Sequence, residues 1–151
     1  MTTLFLPLLA VPAFLLIFGF IGKTVLRSYQ ELAGRYPRSG GAPVEPSKWI
    51  LISFDFGFAQ GVRNGFFLSA DPAGFYLKPI WLLRWGNPPA FVPWGAVRAK
   101  SGRSFGFFRT VEFRFEGLDV PPLRFYGRDW DRALAAFAGV WPERLRRLSW
   151  E

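Results

Sequence analysis

The side chains best placed to do chemistry in this sequence are cations. Arg98, Lys100, Arg103 and Arg109 fall within one short stretch, and Arg144, Arg146 and Arg147 form a second group beside Leu145, Leu148 and Trp150. Such groups could rest on anionic lipid headgroups, each charge near the surface contributing about 1 kcal/mol. The first group also fits the polar face and turn of an edge hairpin, where cations discourage edge-to-edge pairing, and charge runs commonly mark solvated faces. For the second, a basic amphipathic tail on a membrane and a frayed end whose cations complement a helix C-terminus fit equally well.

Other chemistry is excluded by residue type. The chain has no His and no Cys, which removes imidazole acid–base catalysis, thiol nucleophiles, disulfides and nearly all metal sites built on nitrogen or sulfur. Asp55, Glu112 and Glu116 could be imagined as a carboxylate pair. Two of them lie on a strand with an evident polar face, and no activated nucleophile accompanies them. No G-x-S-x-G elbow, P-loop or dinucleotide fingerprint is present. Trp81, Trp85 and Trp94 could line a groove, although aromatic rings supply the main bulk of a small β core. No catalytic residue, cofactor or metal site is assigned.

The elements that would carry the cations follow from pattern. The 151 residues are 50% hydrophobic and 19% aromatic, with 16 Gly, 13 Pro and a net charge of +8; this composition points to short strands and tight turns. Residues 4–22 are uncharged, and as a helix they would rise roughly 28 Å, the thickness of a bilayer core. Pro7 would sit in the first turn and Pro12 would kink the helix. The segment lacks the basic start and small-residue cleavage site of a signal peptide. Lys23, Arg27, Arg35 and Arg38 follow it and no Lys or Arg precedes it, so the positive-inside rule places the C-terminal side in the cytoplasm. The expectation is therefore a single-pass inner-membrane protein: a transmembrane helix over 4–22, an amphipathic juxtamembrane helix over 23–37, a linker over 38–47, a β domain over 48–141 and a basic amphipathic tail over 142–151.

Within the domain, Ile50, Ile52, Phe54 and Phe56 share one strand face. The turn Asp71-Pro72-Ala73-Gly74 separates two strands of a hairpin. Short apolar runs at 81–85 and 90–94 follow, split by Gly86-Asn87-Pro88-Pro89. A second turn, Ser101-Gly102-Arg103-Ser104, precedes a strand over 107–115 in which Val111, Phe113 and Phe115 alternate with Thr110, Glu112 and Arg114. After a last strand at 123–126, Trp130, Ala133, Leu134, Phe137, Val140 and Trp141 form one helical stripe, with Asp129 as N-cap. About seven strands and one helix suit a mainly β fold, a small antiparallel barrel or pair of orthogonal sheets capped by a C-terminal helix.

The segment Ala90-Phe91-Val92-Pro93-Trp94-Gly95-Ala96-Val97 resembles the hydrophobic-Pro-Trp-x-x-hydrophobic step of bacterial pleckstrin-homology-like domains. Gln30-Glu31-Leu32-Ala33-Gly34-Arg35-Tyr36-Pro37 is similar to a Leu-Ala-x-x-Tyr segment of small bacterial membrane-anchored proteins. The fold resemblance spans about 49–141 and implies an interaction module rather than an enzyme. Residues 57–61 carry no Lys or Arg and only Arg63 follows, a departure from the basic first loop of phosphoinositide-binding relatives. The expected function is a membrane-tethered, non-catalytic cytoplasmic interaction module, with a membrane protein or anionic lipid headgroups as partner. A basic nucleic-acid-binding domain and an enzyme independent of His and Cys are the alternatives.

Overall fold

Strand pairing in the computed structural model begins at Ile50, where apolar and polar residues start to alternate. The structure describes Pro12 and residues 26–38, 46–56 and 61–149. The strands are β1 (Ile50–Phe56), β2 (Gly61–Ala70), β3 (Gly74–Pro79), β4 (Ala90–Pro93), β5 (Val97–Ser104), β6 (Phe108–Phe115) and β7 (Leu123–Tyr126). The helices are α1 (Arg27–Arg35), α2 (Gly127–Ala136) and α3 (Glu143–Arg146).

All seven strands form one antiparallel sheet in the order β4-β3-β2-β1-β7-β6-β5. The edge strands β4 and β5 are joined by only the three-residue 3-10 turn Trp94–Ala96, so the two edges meet at that corner and the sheet must curl. Curling brings Phe75 of β3 against Phe113 and Phe115 of β6, with ring centroids 5.8 and 6.4 Å apart. Phe54, Phe66 and Phe125 complete the buried aromatic core. Trp130 of α2 packs on Phe113 and Phe125 and meets Trp141 at 4.9 Å. Helix α1 buries Tyr29, Leu32 and Ala33, and the Tyr29 hydroxyl donates to the Pro88 carbonyl at 2.7 Å. The amphipathic segment thus docks on the sheet.

Several expectations are corrected. The membrane-spanning helix over 4–22 falls outside the described residues, and no helix among those described is long and apolar enough to cross a membrane. The longest, α2, has 10 residues and rises about 15 Å, half a bilayer core. The single-pass topology and the inner-membrane location with a cytoplasmic domain are withdrawn accordingly. The barrel or pair of sheets is instead one continuous curled sheet, because β1 pairs with β7 through Asp55↔Arg124 and Phe56↔Leu123 and joins the two halves. The apolar run 81–85 forms only the 3-10 turn Trp81–Leu83 and leaves Trp81 and Trp85 exposed, whereas Trp94 is buried. The expected turn at 101–104 is strand: β5 runs to Ser104, which pairs with Phe108. The C-terminal stripe breaks after Ala136, and Gly139, at φ +83°, carries the chain round so that Phe137 and Trp141 still reach the core.

Candidate functional site

An opening on the sheet lies where β1 and β7 part company. Their pairing covers only two residue pairs, after which β7 turns into α2 and leaves a cleft of about 820 Å³, within the range of small-molecule sites. A bulge in β2 forms one wall. Between the pairs Ile52↔Phe66 and Phe54↔Val62, Ser53 alone faces Arg63, Asn64 and Gly65, so the surplus residues are pushed out of the ladder. Asn64 takes φ +48°, a conformation Asn tolerates better than most residues. Its backbone N–H donates to Ser53 Oγ at 2.9 Å. That bond ties the bulge to β1, and Arg63 beside it lines the cleft.

A second wall is the N-terminal half of α2, with Arg128, Asp129 and Arg132. The floor is a polar network on the outward side of the sheet. The Tyr126 hydroxyl donates to Asp55 Oδ2 at 2.8 Å, and Arg124 reaches Asp55 at 3.8 Å and Glu112 at 3.1 Å. Burial, and then the Asp55 carboxylate that accepts its hydrogen bond, push the Tyr126 phenol above its ordinary pKa, so it stays a donor. The third side is the β5–β6 tip, where Phe105 and Phe108 supply an apolar lip above buried Ser104.

Four Arg and two Asp line the cleft. Arg124 is engaged by Asp55 and Glu112, and Arg132 by Asp129 at 3.4 Å and by the Leu51 carbonyl. Arg63 and Arg128 have no ion pair among the described residues. Two guanidinium groups outside any ion pair among the described residues, on separate walls of one cleft, suit a phosphate or carboxylate, which each can grip with two parallel N–H bonds.

Comparison with protein-family models, curated proteins and solved structures finds no match to this chain. The reading of the cleft therefore rests on its own geometry.

The cations singled out in the sequence are not gathered in it. Strand alternation puts Arg98 and Lys100 on the outward face, where Lys100 pairs with Glu112 at 3.5 Å. Arg103 and Arg109 share the parity of Val97 and Val111 and lie on the other face; Arg109 grips Asp131 of α2 at 2.7 Å. In the tail, Arg144 donates to the Trp94 carbonyl, Arg147 pairs with Glu143, and Arg146 is exposed. Of the imagined carboxylates, Asp55 and Glu112 share Arg124 while Glu116 lies at the far end of β6. Arg63 and Arg128 were not singled out. The signal for Arg63 was its neighbours: Asn64-Gly65 inside an apolar strand marks a break in the ladder.

Proposed function

We propose that the domain is a non-catalytic interaction module that takes an anionic group of its partner, a phosphate or a carboxylate, into the cleft between β1 and β7. The observation that carries this is the placement of Arg63 and Arg128, neither in an ion pair among the described residues, on the walls of an open cleft. The likeness to pleckstrin-homology-like domains belongs to the same reading, as the source of the non-catalytic assignment. The floor supports it as well. Arg124 and the Tyr126 hydroxyl are committed to Asp55, so they hold the cleft's shape while the outer Arg residues stay available.

The test is ligand-dependent stabilisation of the full chain by inorganic pyrophosphate. A ligand at about a hundred times its Kd should raise stability by about 2.7 kcal/mol. Replacing both rim cations (R63A/R128A) should abolish that increment while leaving the unliganded melting temperature within about 2 °C, since both side chains are exposed. An undiminished response in the double variant would place the anion elsewhere and end the proposal.

A further inference from the structure

The β5–β6 tip is built against the rules for turns. Residues 105–107 connect Ser104 to its partner Phe108, and three of the four residues from 105 to 108 are Phe, where Gly, Asn, Asp and Ser are the usual choices. Phe105 sits at φ +52° beside Gly106 at φ +79°. For a bulky residue the left-handed region is strained, and such strain collects at functional segments. Phe105, Phe107 and Phe108 are 64%, 69% and 52% exposed, although the core a few residues away is packed with Phe. The base of the tip is firm, because Ser104 is buried.

The chain on either side of this tip is basic, although Lys100 pairs with Glu112 and Arg109 with Asp131. Arg98, Lys100, Arg103 and Arg109 precede and follow it, and the stretch 98–111 contains no carboxylate. Phe105 and Phe108 also line the cleft, so the apolar knob is continuous with the mouth guarded by Arg63 and Arg128. We infer that the tip dips its Phe rings into an anionic phospholipid bilayer surface while the cleft takes a headgroup phosphate. This rests on the cleft reading above and names its partner. It needs no spanning helix, only a convex apolar tip, flanking cations and a phosphate site at matching depth. A nucleic-acid platform would present separate open ring faces for stacking bases. Here Phe107 and Phe108 pack on each other, centroids 4.5 Å apart and tilted 50°, which makes a compact apolar knob instead.

The chain has no cysteine, so a unique one can report position. The full chain carrying Phe107→Cys, labelled with an environment-sensitive fluorophore, would be mixed with vesicles of phosphatidylcholine alone or with added phosphatidylglycerol. A second chain labelled at Glu116→Cys, an exposed site at the other end of β6, serves as control. Expected is a blue-shifted, enhanced emission at 107 with the anionic vesicles and little change at 116. Phe105→Ser should weaken that response about tenfold, the loss of one buried ring, and R63A/R128A should weaken it at least as much.

No response at 107, with pyrophosphate still stabilising the chain through Arg63 and Arg128, would overturn the bilayer inference and leave the cleft reading standing. Insertion unaffected by R63A/R128A would instead remove the headgroup from the cleft. An equal response to neutral vesicles would sink the role of charge. A response at 107 to a single-stranded oligonucleotide but not to vesicles would replace lipid with nucleic acid.

Discussion

Replacing Arg124 by Met tests whether the polar network beneath the cleft is structural. The side chains of Arg124, Asp55 and Glu112 are between 11% and 17% exposed, so each ion is largely desolvated. At an effective dielectric of about 20, one pair near 4 Å gains about 4 kcal/mol before desolvation is subtracted. Removing one partner of a fully buried pair costs about 3–5 kcal/mol, because the other charge is stranded. Here two compensations survive: Tyr126 still donates to Asp55 at 2.8 Å, and Lys100 remains 3.5 Å from Glu112. The expected loss for Arg124→Met is therefore about 2–3 kcal/mol, or about 6–12 °C in melting temperature. Equilibrium urea unfolding of the two proteins measures it. Neutralising the stranded acids as well, in D55N/E112Q/R124M, should recover more than half of the loss, since an unpaired amide is cheaper to bury than an unpaired carboxylate. A single variant within about 0.5 kcal/mol of the parent, the range of ordinary surface changes, would refute the reasoning. So would a triple variant no better than the single, because the acids would then be hydrated.

Two further outcomes follow from local geometry. A Cβ at Gly74 would lie 2.3 Å from the Val92 carbonyl oxygen, a backbone atom in the neighbouring strand, so Gly74→Ala should destabilise by at least about 2 kcal/mol. Gly34→Ala in α1 meets nothing within 4 Å and should stabilise by about 0.5–1 kcal/mol; chemical denaturation reads both. Burial, and then its hydrogen bond and proximity to Asp71, push the Tyr76 phenol up to about 12. The folded chain thus holds this proton more tightly than the unfolded one, whose tyrosine titrates near about 10. Its stabilisation is complete below that lower value and is lost as pH rises through about 12. Phenolate absorbance followed against circular dichroism should show Tyr76→Phe removing that part of the alkaline destabilisation.

The elements that could be read from sequence are those in which one local rule dominates. Asp71-Pro72-Ala73-Gly74 is a turn because Asp71 Oδ1 accepts from the N–H groups of Ala73 and Gly74, at 2.7 and 3.0 Å. Val111, Phe113 and Phe115 face the core because a strand alternates. The run 81–85 misled because an apolar stretch with two Trp residues meets strand composition while Pro79 and the Gly86-Asn87-Pro88-Pro89 break leave it no partner to pair with. Whether the strands made one sheet or two depended on the β1–β7 pairing, a contact between segments about seventy residues apart, which no local pattern encodes.

The cleft was harder still, because its walls come from positions 63, 104 and 128 and only the curl of the sheet unites them. Yet the knob beside it did leave a trace in parity. Along β5 and β6 the core face carries odd numbers: Val97, Ala99, Val111, Phe113. Arg103 and Arg109 have that same parity, so the apolar interior has already run out by the time the chain reaches either of them. Any Phe lying between those two cations has no core to enter, whichever way it points. Phe105, Phe107 and Phe108 all lie there, and Phe107 and Phe108 pack on each other instead. Reading the cations on the core face as the limit of the core, rather than as a basic cluster, turns the same residues into a prediction of exposed aromatics. That exposure sets the tip apart from the scattered charge as the apolar feature on which the proposed bilayer contact rests.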